Sequence, residues 1–470
     1  MLGFEQHAML SPVSEIMTPA ITCPPATPIR QVLETLKQKK IGSILLVDEK
    51  NAPIGIFTLP DVLERVAAAE CDIDAPISTI MSSNPVTVAP SAPLFEAALT
   101  MQQHHVRHLP VVQDGEIRGM VSERDLFRLQ GVGAQRVAQA ISRAQDHTRL
   151  VQMTRDIRQL GCSMLAQGVS VEQISNLVSR LNDQLSQRSI ELALVTPDIE
   201  FCWIALGSEG RCEQTLSSDQ DNAIVFRPPH NAGARETRER LLPFARRINE
   251  AFADYGFPLC KGNIMASNPE CCLSLAEWKE RFALWIDHGD PKSLLNAAIF
   301  FDFRGIYGAT QLVDELRRWL TALAKKNPRF LHQMAANAMR NEIPLSWLRR
   351  FRVRARGEHR DTIDIKIGGS ALFVDAARIY SLRAAVAATN TEERLRLSEK
   401  ALGFVALEVE AWIAAFHFIR RLRMLNEIRH DGGGHYVHPG ELNGFERAGL
   451  RQALLQAKNL RARLALDYQL

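Results

Sequence analysis

The sequence predicts a multidomain α/β protein: a duplicated α+β module, then an α/β domain, then an all-helical C-terminal domain. Three observations predict it. PIGIFTLPDVL (53–63) recurs as IRGMVSERDLF (117–127) at a shift of 64 residues; the apolar run IEFCWIAL (199–206) leads through Gly-Ser into DQDNAIVF (219–226); and beyond Pro328 apolar residues recur at helical spacing. A chain of 470 residues exceeds what one core serves. With 46% hydrophobic and 23% charged residues it is not a disordered chain, and a net charge of +3 gives no argument for binding nucleic acid or a membrane surface.

Each copy of the repeat reads as a short strand, an amphipathic helix (Ile29 to Lys39; Leu94 to His104), two apolar strands and a closing helix. In the second copy the strands HLPVV and IRGMV flank the turn Gln113-Asp114-Gly115. Neither copy can bury much core alone, so the two are expected to pack together. Both end in Gly-x-x-Thr/Ser-x-x-Asp: Gly55, Thr58 and Asp61, then Gly119, Ser122 and Asp125. Such residues can form a capping box at a helix start. They can equally turn a hydroxyl towards a phosphate and an aspartate towards ribose hydroxyls. With IMTP (16–19) and RHLPVV (107–112) in place, residues 12–130 resemble a pair of cystathionine-β-synthase (CBS) domains. That resemblance implies an adenosine nucleotide such as AMP or ATP in the clefts of the pair, with Thr58, Asp61, Ser122 and Asp125 among its contacts, and a homodimer.

Residues 131–195 read as a helical connector. VAQAISRAQDHTRLVQMTRDIRQLGCSML (137–165) shows one helical pattern, Gln167-Gly168 stops it, and Ser170-x-x-Gln173 opens the next helix.

IEFCWIAL is then a buried strand, and GSEGRCEQTLSSDQDN (207–222) follows it. Glycine lets backbone approach a phosphate, Ser208 can donate to one, and Asp219 and Asp221, two apart on a strand, share a face. Two carboxylates held that close repel each other unless a cation lies between them. The combination resembles the nucleotidyltransferase superfamily that includes DNA polymerase β, and within it the nucleotidyltransferases fused to CBS pairs, which are similar to protein-PII uridylyltransferase. The resemblance implies an α/β nucleotidyltransferase domain at 196–325, with Gly207 and Ser208 holding the triphosphate and Asp219 and Asp221 binding Mg²⁺. Arg211 and Glu213 match its G-R-x-E-Q element as groups that contact and position phosphate, or else form an ion pair. Asp302 and Arg304 match a D-x-R element, with a structural or a substrate-side role. A third carboxylate is common on a later strand in the superfamily, yet LCKGNIMA (259–266) has none, and the general base stays unassigned.

The helical C-terminal region, 326–470, is expected to be substrate-binding. Asp364 and Lys366, in IDIK, match the family's element there and are candidates for the active-site wall, Lys366 as a nucleotide-binding group. Arg349, Arg350, Arg352, Arg354, Arg356 and Arg360 read as a solvated basic face or a platform for phosphate. His430, Asp431, His435 and His438 lie in a glycine-rich loop whose spacing would also suit a metal.

The N-terminus, MLGFEQHAMLSPVSE, has no basic start followed by an apolar run, and no apolar stretch reaches about 18 residues. A cytoplasmic protein without a membrane span is expected. Cysteines 23, 71, 162, 202, 212, 260, 271 and 272 form no C-x-x-C pair and are expected to be reduced. Together these features predict a Mg²⁺-dependent nucleotidyltransferase regulated through its CBS pair, moving a nucleoside monophosphate from a triphosphate to a hydroxyl of a small molecule or a protein, PII-like or other. A non-catalytic nucleotide sensor is the alternative.

Overall fold

The structure, a computed structural model, describes residues 12–39, 41–67, 72–104, 106–194, 199–217, 219–346, 350–430 and 434–470. Cys71, Arg349 and Asp431 lie outside these. The chain forms two compact units that divide after Gln135.

In the first unit, β1 (Thr22–Cys23), β2 (Ser43–Val47), β3 (Pro53–Thr58) and β4 (Ser82–Ser83) make one sheet in that order, with α1 (Ile29–Lys39) between β1 and β2. The second copy supplies α2 (Leu94–His104) and the hairpin of β5 (His108–Gln113) and β6 (Glu116–Ser122). Asp114 and Gly115 turn that hairpin with φ of +56° and +82°, the left-handed pair that such short turns require. The copies pack by exchanging strands. Thr18 N donates to the Met120 carbonyl at 2.9 Å, and β4, from the second copy, pairs with β3 of the first. Gly55 permits this approach, since a Cβ there would overlap Met81 Sδ.

After α3 (Glu123–Arg143), within which the chain passes from one unit to the other, come α4 (His147–Ala166) and α5 (Val171–Ala193). The single helical pattern expected over 137–165 is in fact broken at residues 144–146. Asp146 is the reason: its side chain accepts from Arg149 N at 2.9 Å and starts a new helix. Ser170 caps α5 through Gln173 N as expected.

The second unit is built on a sheet ordered β10-β7-β8-β9: β7 (Glu200–Ala205), β8 (Asn222–Arg227), β9 (Cys272–Ser274) and β10 (Arg304–Gly308). β7 runs antiparallel to β8 and β10, and β8 is parallel to β9. Both faces are covered, which is why β7 reads as a continuous apolar run. Phe201 and Trp203 meet Phe244 and Phe252 of α6 (Ala234–Asp254). Cys202 and Ile204 join the core formed with α7 (Leu275–His288), α8 (Pro291–Phe300) and α9 (Thr310–Lys325).

That core continues without a break into α10 (Pro328–Ala338), α11 (Ala371–Ala384), α12 (Thr391–Leu402), α13 (Ala406–Arg429) and α14 (Gly444–Tyr468), so segments 196–325 and 326–470 share one interior. The helical pattern at 401–430 is interrupted: Gly403, at φ +73°, ends α12 before α13 begins. Two short strands, β11 (Ile363–Asp364) and β12 (Tyr436–Val437), are the region's only strands among the described residues.

Candidate functional site

The site is set by the way β7 hands over to β8. Leu206 N donates to the Asp221 carbonyl at 2.8 Å, extending the β7–β8 ladder by one step beyond the Ala205–Asn222 pair. Gly207 then turns the chain with φ +54°, and Asp221 Oδ2 lies 3.3 Å from where a Cβ on Gly207 would stand. Residues Gly207–Gly210 form one helical turn carrying Ser208. Gly210 must be glycine because a Cβ there would overlap the Asp302 carbonyl oxygen.

Asp219 and Asp221 were expected on a strand, but β8 begins only at Asn222. Their shared face has another origin. Between and beyond them, Gln220 and Asn222 are each 2% exposed and point inwards. Gln220 Nε2 donates to the carbonyls of Asn249 and Phe257 at 2.9 Å, and Asn222 Oδ1 accepts from Ala266 N at 2.8 Å and from Asn249 Nδ2 at 2.9 Å. With the even residues anchored, the odd ones turn out: Asp219 is exposed and Asp221 half-buried. Gln220, Asn222 and Asn249 are residues that sequence reasoning missed, although the amides between the aspartates were a visible signal.

Burial and the charge of Asp219 push the Asp221 carboxyl up, against a hydrogen bond from the Cys260 thiol and the charges of Lys366 and Arg211. Lys366, at the start of the turn after β11, lies within electrostatic reach of both aspartates; desolvation and Arg423 lower its ammonium while the aspartates oppose this. Glu209, beside Ser208, is pushed up to about 8 by burial and Asp183. The later strand, β9, is Cys-Leu-Ser and adds no acid.

Arg211 and Glu213 belong to a buried ion-pair network. Arg211 Nε donates to Glu213 Oε2 at 2.7 Å and Nη1 to Asp302 Oδ2 at 2.6 Å; Arg378 and Arg394 also bind Asp302, at 2.6 Å each. Asp375 meets Arg378 at 2.7 Å, so three arginines face three carboxylates. Asp302 is fully buried, and although burial alone would raise its pKa, the three guanidiniums hold it well below the carboxylate range. Glu213 Oε1 also accepts from Thr391 N at 2.6 Å, tying the 207–213 loop to α12. Arg304, the other half of the D-x-R element, makes a two-pronged pair with Asp183 of α5 at 2.7 and 3.0 Å.

The remaining expectations fall elsewhere. Arg350, Arg352, Arg354, Arg356 and Arg360 are exposed. His430 faces Glu441, His438 accepts from Gly440 N, and His435 lies against Arg423, so the three histidines turn to separate partners. Glu172, Glu392 and His417 bring ligand atoms within 4.8 Å of one another, but Glu392 already accepts from His417 at 2.8 Å and Arg396 at 2.9 Å. In the first unit, Asp61 Oδ2 accepts from Thr58 N at 2.8 Å and Thr58 Oγ1 at 2.6 Å. Asp125 Oδ2 repeats this with Ser122 at 3.0 and 2.5 Å, so both motifs form the helix-start lock. No helix among the described residues is long and apolar enough to cross a membrane.

Comparison with known families matches residues 13–68 and 77–131 to the CBS domain, 155–292 to "Putative nucleotidyltransferase DUF294", and 328–468 to "Putative nucleotidyltransferase substrate binding domain". The CBS domain-containing protein YhcV of Bacillus subtilis is 32% identical over 118 residues, 25% of this chain and 84% of that protein. CBSCBSPB1 of Arabidopsis thaliana is 32% identical over 102 residues, 22% of this chain but only 19% of the relative's length. Among solved structures, the CBS domain protein PAE2072 from Pyrobaculum aerophilum, complexed with AMP, is 33% identical, covers 24% of this chain and 89% of its own, and has a TM-score of 0.24. ATU1752 from Agrobacterium tumefaciens is 25% identical, with 27% and 98% coverage and a TM-score of 0.25. The chain belongs to the proteins that join a CBS domain pair to a DUF294 nucleotidyltransferase domain and its C-terminal substrate-binding domain.

Proposed function

We propose that the chain transfers a nucleoside monophosphate from a nucleoside triphosphate to an acceptor hydroxyl, on a protein or a small molecule, under control of an adenosine nucleotide on its CBS pair. The observation that carries the reading is the Asp219/Asp221 face, turned outward by the buried amides of Gln220 and Asn222, beside the Gly207-Ser208 turn. The donor set fits a hard divalent cation: two carboxylates, one of them half-buried and raised by burial and by the other's charge, which a cation between them would relieve. Asp219 and Asp221 would hold Mg²⁺, which when bound neutralises charge building on the transferring phosphate.

The acceptor oxygen bonds to the α-phosphorus, the bond from that phosphorus to the bridging oxygen breaks, pyrophosphate departs and the hydroxyl proton is lost to a base. The chain's part is orientation. Ser208 and Lys366 would bind phosphate oxygens, and Arg211, bonded to both Glu213 and Asp302, would hold the 207–213 loop in place. In the CBS pair, Thr58 with Asp61 and Ser122 with Asp125 supply the hydroxyl and carboxylate for phosphate and ribose. A homodimer and a PII-like acceptor belong to the same reading.

A strand β9 without an acid favours a second reading, in which the chain binds triphosphate and senses it without transfer. The test is incubation of the chain with each nucleoside triphosphate labelled at the α-phosphate, Mg²⁺ and extract, with and without AMP or ATP. Label appearing in a product with wild type and absent with Asp219→Ala/Asp221→Ala establishes transfer; binding of triphosphate with no labelled product under any condition establishes the sensor.

A further inference from the structure

Strands β11 and β12 are two residues each; Ile363 and Val437 anchor them in the core, and they bring Lys366 and His435 to one end of the same ladder. Asp364 pairs in register with Tyr436, and Ile365 N donates to the His435 carbonyl at 2.9 Å, so Lys366 and His435 flank one ladder. Gly434 passes close against α13: a Cβ there would stand 2.8 Å from the Arg423 carbonyl oxygen. The approach sets His435 Nδ1 3.4 Å from Arg423 Nη2.

Two carboxylates, Asp364 and Glu427, lie among these bases as counter-charges to Arg423, and one oxygen of each accepts from backbone N–H groups. Asp364 Oδ1 accepts from Lys366 N at 3.0 Å and Ile367 N at 2.9 Å; Glu427 Oε2 accepts from Leu216 N at 3.1 Å. Arg423 Nε is buried and, among the described residues, has no hydrogen-bond partner. A buried guanidinium N–H without an acceptor is costly, which points to an acceptor from outside the chain. Its neighbour Lys366 lies within electrostatic reach of Asp219 and Asp221. Bases on one side and paired carboxylates on the other suit a polyphosphate carrying a cation.

We infer that Lys366, Arg423 and His435 form a seat for the polyphosphate chain of a nucleoside triphosphate, contributed by the helical region and within electrostatic reach of Asp219 and Asp221. The inference rests on the nucleotidyltransferase reading and adds to it the groups that hold the departing pyrophosphate. Burial and the charges of Arg423 and Lys366 push the His435 imidazole down to about 4, with Asp364 opposing them, so a ligand there meets an uncharged ring beside the Arg423 guanidinium.

The test is calorimetric titration of the full chain with inorganic tripolyphosphate, without added metal. Wild type binds, Arg423→Gln and His435→Gln each weaken binding by about tenfold or more, and Arg423→Lys retains part of the affinity. Asp219→Asn/Asp221→Asn binds at least as tightly as wild type, because two negative charges facing the probe are gone. A wild-type chain that does not bind tripolyphosphate overturns the seat, as do Arg423→Gln and His435→Gln chains that fold and bind like wild type. Should Arg423→Gln fail to fold, His435→Gln, at a half-buried loop position, carries the test. A chain that binds the probe through these residues but transfers no nucleotide overturns the transfer reading and leaves the seat. Transfer with an unchanged KM for triphosphate in both variants overturns the seat and leaves transfer.

Discussion

Asp302 and Asp221 each stand just before a strand of the same sheet, β10 and β8, and the protein treats them oppositely. Asp302 is fully buried and met by three arginines within 2.6 Å, with every charge in its network matched. Asp221 is half-buried, crowded by a second carboxylate, and, among the described residues, met by the Cys260 thiol and by the charges of Lys366 and Arg211 without an ion pair. A completed network stabilises an arrangement, whereas an uncompleted one leaves free energy for a ligand to supply. Structural and ligand-binding carboxylates are thus told apart by whether their partners belong to the chain.

Removing each aspartate is the most direct way to break this contrast. Asp302→Ala leaves Arg394 buried without its counter-charge and Arg378 with Asp375 alone, and is expected to lower unfolding free energy by about 3–5 kcal/mol. Denaturant titration checks it, and a midpoint equal to wild type would remove Asp302 from its structural role. Asp221→Asn is expected to do the reverse: transfer falls on the order of 100-fold while the unfolding midpoint holds or rises, since a repulsion is relieved. A large loss of stability there would make the two aspartates alike.

Gly210→Ala probes the joint between the regions. Its methyl would collide with the Asp302 carbonyl, so a loss of roughly 1–3 kcal/mol is expected, together with weaker triphosphate binding as the loop shifts. Unchanged thermal unfolding would show that the loop and Asp302 are not rigidly joined. The last effect, at Glu209, depends on pH. Its folded carboxyl holds its proton to about 8 against an ordinary 4.5, so folding takes up a proton between those values. Its contribution to stability is full below 4.5 and declines as pH rises towards about 8. Glu209→Gln should flatten that part of the stability-against-pH curve, and identical wild-type and variant curves would show that Glu209 is not protonated there.

The repeat was legible because each copy carries the same turn and cap chemistry at the same offset, and helices Ile29–Lys39 and Leu94–His104 follow from their periodic apolar faces. The strand Glu200–Ala205 was legible as an apolar run covered on both sides. The break before His147 was less so, because one aspartate among helix-compatible residues decides it through a single hydrogen bond. In the candidate site, Gly-Ser and Asp-x-Asp stood out by spacing. The grouping of Arg211 with Glu213, Asp302, Arg378 and Arg394 did not, since its members come from separate parts of the chain and no local pattern links them.

By itself the sequence determined the order of the domains, the duplicated module and the pair of acidic residues after a glycine turn. These rest on interactions between residues close along the chain: caps, turns and periodic apolar faces. Only the tertiary structure decided which charged groups are satisfied. Asp302 meets arginines from two helices far downstream, while Asp221 and Arg423 Nε lack an equivalent partner. The physical reason is that neutralising a charge depends on separation in space, and that is set only when the helical region packs against the sheet.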